Sequence, residues 1–234
     1  MPLPNSGSLT TPTFDCYGTL IGWEAGAIAA LRPLLARHGV VLTDDEVITA
    51  FHDIDAELCE PPYRTYRAVL AGVVEGFGQR YGFPVEAADR DMLAASVASW
   101  RPFLDTVDTL KALAMRYRLA TISNIDDDLF AGTAPQLGVE FDVIVTAEQA
   151  RCYKPGAAIF EEALRRLSVQ PHEVAHVAEG VTEIPTARRL GCATAWVRRN
   201  GRSARLLTEI PHLEVSDMGT LLGYLGGDPA PRGS

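Results

Sequence analysis

Four short clusters in this chain carry groups that react or hold charge. The first is Asp15, within Thr13-Phe14-Asp15-Cys16-Tyr17-Gly18-Thr19-Leu20. An acidic residue at the tip of an apolar segment, followed by a glycine-containing turn, is presented at a strand end. A carboxylate placed there can attack an electron-poor centre and form an ester, dividing one difficult displacement into two easier ones. The second cluster is Ser123-Asn124, the third is Lys154 before Pro155, and the fourth is Glu179-Gly180-Val181-Thr182-Glu183. Brought together, they have a mechanism. Lys154 would keep Asp15 ionised by Coulombic attraction. Thr19 and Ser123, with nearby backbone N–H groups, would hold developing negative charge. Glu183 would activate the water that opens the ester. Taken singly, each has an ordinary alternative: a solvated loop cation, a helix cap or an acidic turn.

The clusters matter only if the chain places them on one edge, and its patterning does so. Leu9 to Phe14 reads as a strand, weak on propensity because of its threonines and a proline. From about Ala25 to Arg101 the apolar residues recur at i, i+3, i+4: Leu31, Leu34 and Leu35; Val47, Ala50, Phe51 and Ile54; Tyr66, Val69, Leu70, Val73 and Phe77. Gly39, Pro61-Pro62 and Gly82-Phe83-Pro84 divide that stretch into four helices. After Pro102 short apolar runs alternate with helical ones. The runs 119–123, 143–146, 174–178 and 193–197 have the continuous hydrophobicity of strands covered on both faces. Helices follow at Ala157–Leu167 and Pro185–Leu190, the latter closed by Gly191. This alternation argues an α/β fold, a doubly wound parallel sheet with its active site at the carboxyl ends of the strands. Residues 1–8 and 226–234 are rich in proline, glycine and serine and read as loose ends.

The whole chain of 234 residues can bury one substantial core with an inserted piece. Its 21 basic and 30 acidic residues leave a formal charge of −9, a field that repels nucleic acid and anionic membrane surfaces. Cys16, Cys59, Cys152 and Cys192 are scattered, with no C-x-x-C pair and no secretory signal. That usage fits a reducing compartment, so a cytoplasmic location is expected. No apolar run approaches the roughly 18 residues that span a bilayer.

With those residues in hand, the chain resembles the haloacid dehalogenase superfamily, and within it the branch of the 2-haloacid dehalogenases. The resemblance rests on Phe14–Leu20, Thr121–Asn124, Tyr153-Lys154-Pro155 with Ile159-Phe160 following, and His176–Glu183 leading into Ala187–Gly191. It implies a Rossmann-like core at 1–21 and 102–225 with an α-helical cap at 22–101, lined by Trp23, Phe51, Tyr63 and Tyr66. It makes Asp15 the nucleophile, Thr19 and Ser123 partners of its carboxylate, Lys154 its counter-charge and Asn124 a substrate contact. It also implies a small anionic substrate, and a homodimer is compatible with it. Tyr17 selects the chemistry. Phosphatases of this superfamily carry a second aspartate there as general acid, which a phenol cannot replace at neutral pH. A halide needs no proton to leave, so Tyr17 favours carbon–halogen cleavage, with no cofactor required.

Three departures from the pattern open alternatives. His52 occupies the place of the cap arginine that receives halide and substrate, with Arg64 and Arg67 as substitutes. Ala178, Gly180 and Glu183 stand where serine, asparagine and aspartate are expected. The longer glutamate would displace a water by about 1 Å unless the loop compensates. Glu179 falls where phosphatases place their first metal-binding aspartate, so Asp15, Glu179 and Glu183 would be the Mg²⁺ ligands of a phosphatase. A Mg²⁺-dependent phosphatase and a catalytically weak metabolite- or partner-binding protein therefore stand beside the dehalogenase. His172-Glu173-Val174-Ala175-His176 spells a zinc-protease motif, but a strand from Val174 would hold the imidazoles roughly 13 Å apart. Asp126-Asp127-Asp128 reads as a helix N-cap.

Overall fold

The computed structural model describes residues 8–199 and 208–225, so the loose ends expected at 1–8 and 226–234 lie, Ser8 apart, outside the described residues. In chain order the strands are β1 (Thr11–Phe14), β2 (Ala120–Ser123), β3 (Val143–Thr146), β4 (Val174–Ala178), β5 (Ala193–Val197) and β6 (Leu213–Val215). The helices are α1 (Trp23–Arg37), α2 (Asp44–Cys59), α3 (Tyr66–Tyr81), α4 (Met92–Ser96), α5 (Thr106–Ala114), α6 (Asp127–Thr133), α7 (Ala147–Ala150), α8 (Ala157–Leu167), α9 (Ile184–Arg189) and α10 (Met218–Leu225). The strands form one parallel sheet in the order β3-β2-β1-β4-β5-β6. The fold is therefore α/β and doubly wound.

β1 is central although Pro12 removes one of its donors. All four of its residues are buried, and pairing with β2 on one side and β4 on the other outweighs the missing N–H. Parallel pairing aligns every strand's carboxyl end on one edge. Because the chain turns from β2 to β4 on either side of β1, the crevice opens at the end of β1, where Asp15 follows.

Between β1 and β2 runs the helical insertion, α1 to α4. The expected breaks are all present: Gly39 and Gly82 adopt positive φ, at 67° and 75°, and α2 stops at Cys59 before the two prolines. A full capping box, Thr43 with Glu46, starts α2. The fourth expected helix is reduced to five residues flanked by 3₁₀ turns. The insertion leaves and rejoins the sheet layer at one place, where Ile21 pairs antiparallel with Pro102, Gly22 N–H donates to Arg101 O and Phe103 N–H to Leu20 O. Among the described residues, no helix is long and apolar enough to cross a membrane, and none of the four cysteines forms a disulfide.

The acidic run 126–128 caps a different helix from the one expected. Asp126 precedes α6 but makes no side-chain cap there. Its carboxylate accepts from the backbone N–H groups of Tyr66 and Arg67, both at 2.8 Å, at the start of α3. A core loop thus supplies the anion that the N-terminus of an insertion helix lacks. Asp126→Ala should leave those two donors without an acceptor and cost about 2 kcal/mol of stability by urea denaturation, with Asp126→Asn losing less. Equal stability of Asp126→Ala and the native chain would show that the contact does not tie the two layers.

Candidate active site

Asp15 emerges from β1 into a turn that only glycine tolerates well, because Gly18 has φ 102°. The turn carries Thr19 back beneath the carboxylate. Its hydroxyl donates to Asp15 Oδ2 at 2.7 Å and accepts the backbone N–H of Glu179 at 2.7 Å, tying the first and fourth clusters together. Arg199, unremarked in the sequence, lies buried beneath this turn, holding the Thr19 carbonyl and pairing with Asp105 at 2.9 Å.

Lys154 is the hub. Its ammonium donates to Asp15 Oδ1 at 2.6 Å, to the Ile122 carbonyl at 2.8 Å and to Glu183 Oε2 at 2.9 Å, which matches its three hydrogens. Asn124 clamps the lysine's own backbone, accepting its N–H at 2.7 Å and donating to its carbonyl at 3.2 Å. Burial opposes the charge on Lys154, and the two carboxylates overcome it and hold the pKa above the ordinary lysine range. For Asp15 burial is the larger influence and raises its pKa, with the Lys154 charge opposing. Burial also works against Glu183, but Lys154 and His176 prevail and keep it below the usual carboxylate range.

His176, which the sequence reading quoted without giving it a place in the site, adjoins these groups. It lies on β4, as the strand assignment required, and is fully buried. Nε2 meets Glu183 Oε2 at 2.8 Å and Nδ1 meets Thr13 Oγ1 at 3.0 Å. With Nε2 protonated, the imidazole donates to Glu183 and accepts from Thr13. A polar residue inside an otherwise apolar buried strand was the available signal.

The two departures in the fourth cluster compensate each other. A Cβ on residue 180 would collide with Glu183 Oε1, so glycine makes room for the longer acid. Because Lys154 and His176 pin the other carboxylate oxygen, the side chain has little freedom to yield. Gly180→Ala is therefore expected to lower kcat about 10²-fold with little change in the far-UV spectrum; unchanged turnover would show that the carboxyl can relocate.

A cleft of about 840 Å³ opens above these groups, lined by Asp15, Tyr17, Asn124, Lys154, Glu179 and Glu183 from the sheet side and by Trp23, Phe51, His52, Tyr63 and Tyr66 from the insertion. Ser123 also lines it, yet its hydroxyl is buried with no hydrogen-bond partner and makes no bond to Asp15. The phenol of Tyr17 is bonded to Thr133 at 2.8 Å, and burial lifts its pKa far above neutrality. Arg64 and Arg67 do not line the cleft. Arg64 turns to the Leu58 carbonyl, and Arg67, in the first turn of α3, pairs with Asp128 outside it. The arginine that does line it is Arg151, the left-handed residue closing α7, whose guanidinium lies 5.3 Å from the centre of the Tyr63 ring.

Asp15, Glu179 and Glu183, the Mg²⁺ ligands of the alternative reading, all line the cleft. Lys154 already joins Asp15 to Glu183, and among the described residues no three His, Cys, Asp or Glu side chains are grouped to hold a metal.

Compared with known proteins, the family profile described as haloacid dehalogenase-like hydrolase matches residues 11–191. The chain belongs to the haloacid dehalogenase-like hydrolases. Curated members fall on both sides of the chemical question. An (S)-2-haloacid dehalogenase of Pseudomonas sp. (strain YL) is 24% identical over 58% of this chain and 60% of its own length. The pyrophosphatase PpaX of Bacillus pumilus (strain SAFR-032) is 26% identical over 96% of this chain and all of its own. Among solved structures, an L-2-haloacid dehalogenase from Xanthobacter autotrophicus with chloropropionic acid covalently bound superposes with a TM-score of 0.78 at 20% identity, covering 94% of this chain and 99% of that one. That likeness speaks for the fold.

Proposed function

We propose that this hydrolase cleaves the carbon–halogen bond of a small 2-haloacid through an ester on Asp15, without a metal ion. The observation that carries the reading is Tyr17. The position that would protonate a leaving alcohol holds a phenol bonded to Thr133 and raised far above neutral pKa. A leaving group must then depart unprotonated, as halide does.

In the first step an Asp15 oxygen forms a bond to C2 of the substrate while the carbon–halogen pair leaves with the halide. Lys154 and Thr19 orient the carboxylate, and Arg151 takes the substrate's carboxylate, since the ammonium of Lys154 is already committed. Water then adds to the ester's carboxyl carbon. Glu183, held by Lys154 and His176 through Oε2, takes the water's proton and returns it to the departing alkoxide. The products are the 2-hydroxyacid, halide and a proton, and Asp15 is regenerated. The insertion acts as a cap that keeps other water from the ester.

The rival reading is a Mg²⁺-dependent phosphatase, supported by the spacing of Glu179 and Glu183. Halide release from chloroacetate and 2-chloropropionate separates the two. Release unchanged by EDTA is expected. Phosphate release from 4-nitrophenyl phosphate that requires Mg²⁺, with no halide from either acid, would overturn the proposal.

A further inference from the structure

The cleft contains more negative charge than a simple haloacid calls for. Asp15, Asp55, Glu60, Glu179 and Glu183 line it, against Arg151 and Lys154 as the only permanently charged basic groups among its described residues. Lys154 is shared between Asp15 and Glu183, one positive charge against two carboxylates. On the insertion side the balance is acidic, because Arg64 and Arg67 turn away and His52 stands where the resemblance calls for an arginine.

Asp55 on α2 is the distinctive group. It lines the cleft, and its Oδ1 is buried without a hydrogen-bond partner. The Tyr66 phenol hydrogen-bonds this carboxylate, and the Cys59 thiol makes a long contact, 4.0 Å, with Oδ2. That leaves Oδ1 as a buried acceptor, which is costly unless a donor arrives. Rings line the same cleft: Trp23 and Phe51 lie 4.9 Å apart and tilted, and Tyr66 and Tyr153 are 6.2 Å apart. Aromatic faces carry negative potential, so a wall of rings with a carboxylate is the combination that desolvates and holds an organic cation. Burial pushes the Asp55 carboxyl up to about 6, which still leaves it ionised at neutral pH and responsive to a positive partner.

We infer that the cleft receives a substrate bearing a protonated amine beyond its reacting carbon, with Asp55 accepting the amine against the rings of Trp23, Phe51 and Tyr66. This deepens the reading of a carbon–halogen hydrolase and rests on it for the reaction but not for the amine site. The substrate is then a zwitterion. Its carboxylate faces Arg151, its halogen-bearing carbon faces Asp15, and its ammonium lies on the insertion side. The departure at His52 follows physically, because an arginine there would repel the amine.

Two measurements test this separately from the reaction. In the first, halide release is compared for 2-chlorohexanoate and 6-amino-2-chlorohexanoate. The amine is expected to raise kcat/KM about tenfold or more, and Asp55→Asn to bring the ratio to about one. In the second, calorimetry compares n-pentylammonium with pentanoate, which needs no turnover. Tighter binding of the ammonium that Asp55→Asn removes supports the site even if no halide is released, in which case the reaction reading alone fails. Halide release with no preference for the amine, or pentylammonium binding no tighter than pentanoate, overturns the proposal while leaving the reaction intact. Should Asp55→Asn not fold, the two comparisons on the native chain still decide.

Discussion

Asp15→Asn is expected to lower kcat by at least about 10⁴-fold while leaving the fold unchanged, because the amide replaces the one oxygen nucleophile of the site and alters no packing volume. Thr19 can still bond the amide, and residue 15 stays buried under the same turn. What is lost is the anion that attacks carbon. The expected signature is therefore in kcat, measured as halide release, with substrate still bound. A fall of only a few-fold would mean that water attacks the substrate directly and that Asp15 merely positions it.

The second large effect belongs to Lys154. In Lys154→Met two carboxylates that share one ammonium are left buried with no counter-charge, since the lysine and both acids are almost wholly inaccessible. Removing one partner of such a pair costs roughly 3–5 kcal/mol. For a chain of this size that lowers Tm by roughly 10 °C. Turnover should fall as well, by about 10²-fold or more, because Asp15 loses the attraction that opposes burial and its pKa climbs further. Lys154→Arg should not rescue activity. A planar guanidinium cannot direct three donors from one atom to Asp15, Ile122 O and Glu183. A variant with native Tm and native kcat would remove the hub from the mechanism.

Much of this geometry is legible in the sequence. Apolar runs, periodicity and turn residues place β2 to β5, the breaks in the insertion and the extent of α8, because these elements are buried and their patterns are long enough to read, whereas β1, weak on propensity, is placed chiefly by the Asp15 turn that follows it. The chemistry-bearing strand ends also met as expected, since parallel strands leave no other edge for them. β6 and α10 were missed: three residues of strand show no period, and the signal at α10 was a capping residue, Asp217, bonded to Thr220 N–H at 2.6 Å. The arginines misled for a different reason. Sequence shows that Arg64 and Arg67 lie near the start of a helix, but their direction is set by tertiary partners, Leu58 O and Asp128, which no local pattern reveals. Arg151 went unnoticed because its place depends on a left-handed backbone, φ 50°, at the end of α7. Asp126 and Gly180 show the same limit, since each answers to a residue far away or on another turn.

The account turns on an ester at Asp15, and a single turnover in H₂¹⁸O with enzyme in excess over 2-chloropropionate examines it directly. Water attacks the carboxyl carbon of Asp15 in the proposed route, so the label should enter the peptide containing Asp15, seen as a mass increase, while the lactate carries unlabelled oxygen. Label in the lactate and none at Asp15 would contradict the covalent route.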